Sequence, residues 1–321
     1  MRRTQRAAVL ISSLALLAVP VLADRAAAAG PAGGVLVPCL TPAAARTHDA
    51  DVPKWRSVPD TPAVTKSDVA ALPAQNGRRT FATREAVKPL RSIVQLGVRV
   101  HVIRGTHRGE ANPAGPMVVR RLVSVLNSAM AGNQSSASAS SRYRFVLKGI
   151  NYTKRDDWHH AHMFGPRNQA MRRALHQGTA RTLNLYITGG PKGTPVLGWA
   201  RFPWQYAAYP RLDGVTITTA SLFGGAARGY NLGDTLVHET GHWLGLFHTF
   251  QGGCGVTGDG VADTPAEAFP SYQCKTQTDS CSAPGRDPVR NFMDYSYDWC
   301  MNQWTEGQVD RLDAAFRMWR Y

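Results

Sequence analysis

One eleven-residue segment constrains this chain of 321 residues more than any other feature. Residues 238–248 read His-Glu-Thr-Gly-His-Trp-Leu-Gly-Leu-Phe-His. On a helix, His238 and His242 lie one turn apart and point to the same side, so their imidazoles can share one Zn²⁺. Gly245 permits a turn with positive φ, after which the chain can bring His248 to the same ion. Three neutral imidazoles leave a fourth coordination position open, which is the arrangement of a catalytic rather than a structural zinc.

The second residue of the segment supplies the acid–base chemistry. Glu239 follows the first histidine and can reach a zinc-bound water, whose pKa the metal lowers to about 7. A helix with scattered histidines and a glutamate of no function is the alternative, and the short H-E-x-x-H pattern alone does not exclude it. The extended H-E-x-x-H-x-x-G-x-x-H pattern demands a turn where a glycine indeed occurs. We therefore favour a catalytic zinc with Glu239 as general base.

The N-terminus has the organisation of an export signal. Three arginines within the first six residues precede an apolar stretch over residues 7–22 and an Ala-rich run over residues 26–29. A membrane anchor is the alternative, but the apolar stretch is short and contains Pro20. We predict that residues 1–29 are a signal peptide, that the mature protein is secreted and extracellular, and that it has no stable membrane insertion.

The composition and the hydrophobic periodicity of the remaining chain change near residue 90. Residues 30–89 are rich in Ala, Pro, Thr and Arg with little periodicity, which predicts a pro-segment or linker. Residues 90–321 form the predicted catalytic domain. Hydrophobic periodicity there predicts strands within 98–102, 143–152, 183–187 and 215–219, and helices over 116–131, 166–176, 232–246 and 305–319. This order favours an α/β layer packed on the helix that carries the histidines, followed by a loop-rich part.

The formal net charge of +15 is unevenly distributed. Residues 86–230 carry twenty bases and four acids, or +16, whereas residues 231–321 carry six bases and twelve acids, or −6. A basic half joined to an acidic half is better explained by two different subdomains than by nucleic-acid binding. We expect polypeptide substrates, no nucleic-acid partner and a monomer. A preference for acidic substrates is a secondary hypothesis, under which activity falls with added salt.

The five cysteines divide into one plus four. Cys39 stands alone near the predicted mature start, while Cys254, Cys274, Cys281 and Cys300 lie in the acidic half. Their spacing lacks the close cysteine pairs of a structural zinc site, so two disulfides are favoured in an oxidising compartment. Three connectivities of the four cysteines remain open.

The extended histidine motif is that of the metzincin metallopeptidases, and residues 291–295, Asn-Phe-Met-Asp-Tyr, resemble the Met-turn of that group. Further segments are similar to the pappalysin-like (cytophagalysin) family, namely residues 252–254, 258–265 and 300–301. The resemblance covers roughly residues 90–321. It implies a mixed α/β (α+β) metzincin-type catalytic domain. A twisted sheet and the active-site helix form the upper subdomain, and the lower one is loop-rich and disulfide-bonded with a C-terminal helix.

The resemblance also implies roles for individual residues. Met293 lies beneath the metal as a hydrophobic base, and the phenol of Tyr295 stabilises the oxyanion of the tetrahedral intermediate. Residues 197–203 match the upper edge of the cleft, where a substrate lies extended and adds to the sheet as a strand. The implied disulfides are Cys254–Cys281 and Cys274–Cys300.

A calcium site is a further expectation. Asp259, Asp263, Thr264 and Glu267 offer oxygen ligands in a region where this family often binds calcium. The alternative is that these residues only make turns with the neighbouring glycines.

Two further residues, Cys39 and Asp298, are candidates for regulation and for substrate specificity. Cys39 is a candidate latency switch, in which a thiolate from the pro-segment occupies the open zinc position. Metzincin relatives usually have Gly after this cysteine, whereas here Leu40 follows, so a free or intermolecularly bridged thiol is the alternative. Asp298, just after the Met-turn, is a candidate pocket residue favouring a basic side chain after the cut, and an exposed turn carboxylate is the alternative.

Taken together, these features predict a secreted zinc-dependent endopeptidase with one catalytic Zn²⁺ and, as a possible structural ion, Ca²⁺. The alternative is a secreted basic binding protein with a non-catalytic metal site. The histidine cluster at residues 159–162 and the pair Arg172-Arg173 carry no motif, and we expect them to face solvent.

Overall fold

The computed structural model describes residues 39–40, 92–107, 113–255 and 257–321, with the backbone alone for residues 39–40. All of these residues belong to one compact unit. The predicted signal peptide and nearly all of the predicted pro-segment lie outside the described residues. No helix in the described part is long and apolar enough to cross a membrane.

A mixed six-stranded sheet forms the upper part of the described molecule. Its strands, in chain order, are β1 (Cys39–Leu40), β2 (Val94–Arg104), β3 (Tyr143–Lys154), β4 (Thr182–Thr188), β5 (Val196–Ala200) and β6 (Val215–Thr218). Their order across the sheet is β1-β5-β6-β4-β2-β3. Strands β3, β2, β4 and β6 are parallel to one another, and β5 is antiparallel to β6.

Helices cover both faces of this sheet. The helices are α1 (Pro116–Met130), α2 (Asp156–His159), α3 (Pro166–Leu175), α4 (Asp234–Trp243) and α5 (Glu306–Trp319). Alternate residues of β2 from Val94 to Val102 pack into one core with α1 and α4. The intervening residues face the other way, and Ile103 packs with Met171 of α3. The period-two alternation of β2 therefore separates a face carrying α4 from a face covered by α3.

The lower part has little regular structure. Among the described residues between α4 and α5, the only strands are the two-residue β7 (Tyr272–Gln273) and β8 (Tyr295–Ser296). The structure joins Cys254 to Cys281 and Cys274 to Cys300, which is the pairing that the family resemblance implies. These links tie a loop-rich segment that has too few hydrogen-bonded strands to hold itself together. The predicted division into a sheet-bearing upper part and a disulfide-bonded lower part is confirmed.

Two expectations about exposure are wrong. His159 is buried, with its Nδ1 2.8 Å from the carbonyl oxygen of Ile103, although His162 in the same cluster is exposed. Arg172 is also fully buried, because α3 packs its face onto the polar side chains of the sheet and Arg172 Nη2 donates to Thr216 Oγ1 at 2.8 Å. Its neighbour Arg173 is exposed as expected. Charge in the sequence predicts exposure poorly where a strand offers buried acceptors.

Candidate active site

Helix α4 carries the first two predicted metal ligands and begins without a side-chain cap of its own. The residue before it, Gly233, has φ 113°, a conformation that a side chain would strain. The amides at the N-terminus of α4 instead donate hydrogen bonds to a side chain from the lower part of the molecule. Asp298 Oδ2 accepts from the backbone N–H of Leu232 at 2.7 Å, of Gly233 at 3.1 Å and of Asp234 at 3.4 Å. A carboxylate at a helix N-terminus is favourable electrostatically.

The three predicted metal ligands converge as the motif requires. His242 Nε2 lies 3.1 Å from His238 Nε2 and 3.0 Å from His248 Nε2, and all three side chains are buried. Gly245, with φ 106°, makes the turn that returns His248 to α4. Within the described part of the chain, this is the one group of three or more His, Cys, Asp or Glu side chains close enough to hold a metal ion together.

Hydrogen bonds to backbone carbonyls orient two of these rings. His238 Nδ1 lies 2.7 Å from the carbonyl oxygen of Phe292, and His242 Nδ1 lies 2.8 Å from that of Leu246. A carbonyl oxygen only accepts, so each Nδ1 carries the proton and each Nε2 presents a lone pair. Such carbonyl partners fix the tautomer of metal-binding histidines.

The converging imidazole nitrogens fit a bound metal cation. Two lone-pair nitrogens 3.1 Å apart repel unless an electron-pair acceptor lies between them. Burial lowers the pKa of His242 to about 4 and holds the pKa values of His238 and His248 well below the ordinary value, so protons do not fill this role near neutral pH. A divalent metal with imidazole affinity, such as Zn²⁺, matches the donor set.

The side chain of Glu239 lies directly under the edge of the sheet. Glu239 is 1% exposed, and a Cβ added to Gly198 of β5 would meet its Cγ and Oε1 at 2.8 Å each. Gly198 therefore leaves the space that the carboxylate occupies. The sequence places residue 198 in the cleft edge by resemblance but does not indicate this contact.

We expect Gly198→Ala to lower kcat/KM for peptide cleavage about a hundredfold, because the new methyl group displaces the flexible Glu239 side chain rather than the backbone. The melting temperature should change little. Steady-state kinetics on a fluorogenic peptide measure the effect, with Gly115→Ala as the control because a Cβ at Gly115 meets nothing within 4 Å. A Gly198→Ala enzyme with more than half of the wild-type kcat/KM would contradict the contact.

The predicted Met-turn lies beneath α4. Met293 is fully buried, and a Cβ added to Gly241 of α4 would come within 2.4 Å of its Sδ. The turn is held by Asn291 Oδ1, which accepts from the backbone N–H of Met293 at 2.9 Å, and by the Met293 carbonyl, which accepts from Thr249 N–H at 3.2 Å. Gly241 thus lets methionine pack directly under the helix between the two histidines.

Tyr295 brings its phenol to the histidine cluster. The Tyr295 hydroxyl lies 3.3 Å from His248 Nε2, and the rings of the two residues contact at 5.0 Å between centroids. The backbone of Tyr295 is held in turn by Tyr230, whose hydroxyl donates to the Tyr295 carbonyl oxygen at 2.9 Å. The sequence carries no signal for the contribution of Tyr230, because it lies outside every motif.

Charged side chains also fix the other end of α4. Arg320 Nε donates to the carbonyl oxygen of Trp243 at 3.0 Å, and its guanidinium lies 3.7 Å from the centre of the Trp243 ring. Arg320 also forms a fully buried bidentate ion pair with Asp213, at 2.9 and 3.0 Å. Asp213 in addition accepts from Trp243 Nε1 at 2.9 Å. A cation at a helix C-terminus complements the helix dipole.

Asp298, the candidate pocket residue, is buried rather than an exposed turn carboxylate. Its Oδ2 accepts from the three amides at the start of α4, whereas Oδ1 is buried and has no hydrogen-bond partner. Burial raises the pKa of Asp298 to about 6, against the opposite effect of the three amides. One carboxylate oxygen of Asp298 therefore binds the start of α4, and the other oxygen has no hydrogen-bond partner.

The first two candidate calcium residues have separate protein partners. Asp259 Oδ1 accepts from the backbone N–H of Val261 at 2.9 Å. Asp263 lies at the start of α5, where it accepts from Thr305 Oγ1 at 2.7 Å and from Gly307 N–H at 2.8 Å. Asp263 thus acts on the N-terminus of a helix.

Glu267, the third candidate acid, does not join them. Glu267 is fully buried and accepts from Thr249 Oγ1 at 2.6 Å and from Ser271 Oγ at 2.9 Å. Burial raises the pKa of Glu267 to about 7. Thr264 is buried in the turn between the acids. The structure does not bring the four residues together as one ligand set.

The last candidate, Cys39, is described by its backbone alone. Strand β1 pairs antiparallel with β5, so that Cys39 lies opposite Gly198 and Leu40 opposite Val196. Residues 39–40 therefore add a strand to the same sheet edge under which Glu239 lies.

The fold and the site together define a metallopeptidase with the extended histidine motif. A profile of peptidase family M43, described as pregnancy-associated plasma protein-A, matches residues 177–317. An extracellular metalloprotease of Sordaria macrospora is 39% identical over 237 residues, which cover 71% of this chain and 76% of the relative. An extracellular metalloprotease of Pyricularia oryzae is 38% identical over 260 residues, covering 80% and 83%.

Solved structures agree with these relatives. The mature mirolysin of Tannerella forsythia, in complex with a cleaved peptide, matches with a TM-score of 0.58 and 28% identity over 71% of this chain and 93% of that chain. A promirolysin variant from the same organism matches with a TM-score of 0.59 and 27% identity over 71% and 81%. The chain belongs to the M43, or pappalysin, family of metallopeptidases. It is a secreted zinc metalloendopeptidase, and its family implies zinc as the metal.

Proposed function

We propose that His238, His242 and His248 hold one catalytic Zn²⁺ and that Glu239 is the general base of peptide-bond hydrolysis. The convergence of the three imidazoles carries this proposal: His242 Nε2 lies 3.1 Å from His238 Nε2 and 3.0 Å from His248 Nε2, and carbonyl oxygens fix two of the tautomers. Glu239 supports it because its carboxylate is adjacent in sequence to a ligand and is buried at the cleft edge.

The chain's own residues divide the remaining work. When bound, zinc polarises the scissile carbonyl and makes a water acidic enough to attack at neutral pH. The Glu239 carboxylate accepts the proton of the attacking water and donates it to the leaving amine. The Tyr295 hydroxyl donates a hydrogen bond to the carbonyl oxygen as negative charge develops there. The carbonyl oxygens of Phe292 and Leu246 orient the imidazoles of His238 and His242. Met293 packs under Gly241 of the helix that carries these two histidines.

The substrate is proposed to bind as an added strand along β5. The antiparallel pairing of β1 with β5 supports this, because it shows that the edge accepts an extended segment. On the C-terminal side of the cut, the unpartnered Oδ1 of Asp298 supports a pocket for Lys or Arg.

Mapping of cleavage sites in a random peptide library tests function and specificity together. We expect internal cleavage that o-phenanthroline abolishes, with Lys and Arg enriched immediately after the cut. In Asp298→Asn this enrichment should fall about tenfold, because the charged partner of the basic side chain is lost. Cleavage that persists in the chelator would contradict the metal-dependent function, and an unchanged preference in Asp298→Asn would contradict the pocket alone.

A secreted binding protein with a non-catalytic metal is the second candidate that the sequence allowed. Nothing in the site favours it, because a binder has no use for a buried carboxylate between metal ligands and a peptide-binding edge. The extracellular metalloprotease relatives also speak against it.

We further propose that residues 1–29 are a signal peptide and residues 30–89 a pro-segment, so that residues 90–321 are the mature catalytic domain. Strand β1 supports latency, because it occupies the edge along which a substrate would add. Cys39 lies there opposite Gly198, at the level of the catalytic glutamate. A precursor with Cys39→Ala should activate faster than the wild type, and an equal activation rate would remove Cys39 from the switch.

Calcium is proposed for the acidic loop of residues 258–267 on the strength of its buried carboxylates. Because Asp263 and Glu267 have protein partners, backbone carbonyls would share such a site with Asp259. Excess Ca²⁺ should raise the melting temperature of the zinc-loaded protein. No change between calcium and EGTA would exclude structural calcium.

A further inference from the structure

Arg201, the residue after β5, has an unusual environment. Its backbone N–H donates to the Gly214 carbonyl oxygen at 3.2 Å, which extends the β5–β6 ladder by one residue. The side chain is only 7% exposed, and its guanidinium carbon lies 5.3 Å from the ring centre of Phe164 and 5.5 Å from that of Tyr209. Two aromatic rings thus hold the guanidinium at the end of the cleft-edge strand.

Within the described residues, the side chain of Arg201 is in no ion pair. Its Nε is buried without a hydrogen-bond partner. Asp213, the acid whose charge acts on Arg201, is occupied by the bidentate pair with Arg320. Burial lowers the pKa of Arg201 accordingly. A buried guanidinium without a counter-charge is costly unless an anion reaches it.

The neighbouring charge adds to this imbalance. Arg172 is fully buried, and its pKa is lowered first by its own burial and further by the positive charge of Arg201. The side chain of Arg172 donates only to neutral oxygens, which belong to Asn168, Leu212, Gly214 and Thr216. This side of the sheet edge therefore holds an excess of positive charge.

The register along β5 places Arg201 relative to the scissile bond. Because Glu239 lies against Gly198, the substrate residue opposite Gly198 is at the level of the reaction. A substrate antiparallel to β5, as β1 is, has its N-terminal residues toward Ala200. The substrate residue opposite Arg201 lies three positions N-terminal to the one opposite Gly198. Paired residues of neighbouring strands have side chains on the same face, at about 5 Å between Cβ atoms.

We propose that Arg201 is a specificity-determining residue that binds a carboxylate side chain, Asp or Glu, three positions N-terminal to the substrate residue opposite Gly198. The inference rests on the proposed roles of β5 and Glu239. It assigns to one side chain the acidic-substrate preference that the basic charge of residues 86–230 suggests only in general.

The test compares otherwise identical peptides with Glu or Gln at that position, cut by the full mature enzyme. We expect the wild type to cleave the Glu peptide with a kcat/KM about tenfold higher. Moving the Glu by one residue should remove the preference, because that side chain lies on the other face of the strand. In Arg201→Gln the ratio of the two kcat/KM values should fall to about one.

Two controls separate specificity from structure and from general charge. Arg211→Gln removes an exposed arginine from the same region, and it should retain the tenfold preference. Arg201→Lys keeps a charge and should retain part of the preference even where Arg201→Gln fails to fold. Equal wild-type rates for the two peptides would overturn the proposal, and so would loss of the preference in Arg211→Gln or an equal decline for both peptides in Arg201→Gln. Failure to cut either peptide would instead count against the proposed function.

Discussion

Glu239→Gln is expected to reduce kcat for peptide cleavage by about three to four orders of magnitude while the protein keeps its zinc. An amide has the shape of the carboxylate and fits the space at Gly198, but it cannot accept the proton of the attacking water. General acid–base catalysis contributes about a hundredfold to ten-thousandfold, and this residue acts in both proton transfers. Progress curves with a quenched peptide and metal analysis of the same sample measure the two quantities.

The matched control for that variant is Glu306→Gln, which makes the same substitution at an exposed position in the first turn of α5. It should leave kcat unchanged. Proteolysis by Glu239→Gln within tenfold of the wild-type rate would contradict the assignment of Glu239 as the general base. Loss of zinc together with activity would show that Glu239 acts on the metal site rather than on the reaction.

Arg320→Met is expected to destabilise the protein by about 3–5 kcal/mol, because it leaves the carboxylate of Asp213 buried without its cation. The variant also loses the contact of Arg320 with the last turn of the active-site helix, at the Trp243 carbonyl oxygen. Urea unfolding of the zinc-loaded, disulfide-intact protein measures the free energy of unfolding.

Two further variants test the cause of this loss. Arg317→Met, at an exposed position of α5, should cost less than about 1 kcal/mol. The double variant Asp213→Leu with Arg320→Met should recover part of the loss, because both buried charges are then absent. A single Arg320→Met variant within about 1 kcal/mol of the wild type would show that the buried pair contributes little.

The metal site is the part of the molecule that local sequence predicts best. Eleven residues, 238–248, encode the whole ligand set. The spacing of His238 and His242 predicts a helix, and Gly245 predicts the turn that brings His248 back to it. Strands β2, β3, β4 and β6 and helices α1, α3 and α5 also follow their hydrophobic periods, whereas the hydrophobic pattern does not predict β5 or α2. Helix α4 is shorter than predicted, at Asp234–Trp243, because Gly233 and Gly245 both take positive φ.

The contacts that hold the site in place come from distant parts of the chain and have no local signal. Asp213 and Arg320 are 107 residues apart, and Asp298 accepts from amides 64 to 66 residues earlier. Burial of Arg172 likewise depends on the oxygens that a folded sheet presents. Such pairs depend on topology, which residue spacing does not encode. The disulfide pairing shows the same limit, because it follows from the family resemblance and not from cysteine spacing.

The most direct test of a catalytic zinc follows one preparation through metal removal and restoration. Its zinc content and its proteolytic rate are measured at each step. We predict one zinc per chain, a rate that falls in proportion to the zinc removed by chelator, and recovery when one equivalent returns. His242→Ala should lose both the zinc and the rate. Full proteolytic activity in a preparation from which zinc has been completely removed would contradict the proposed active site.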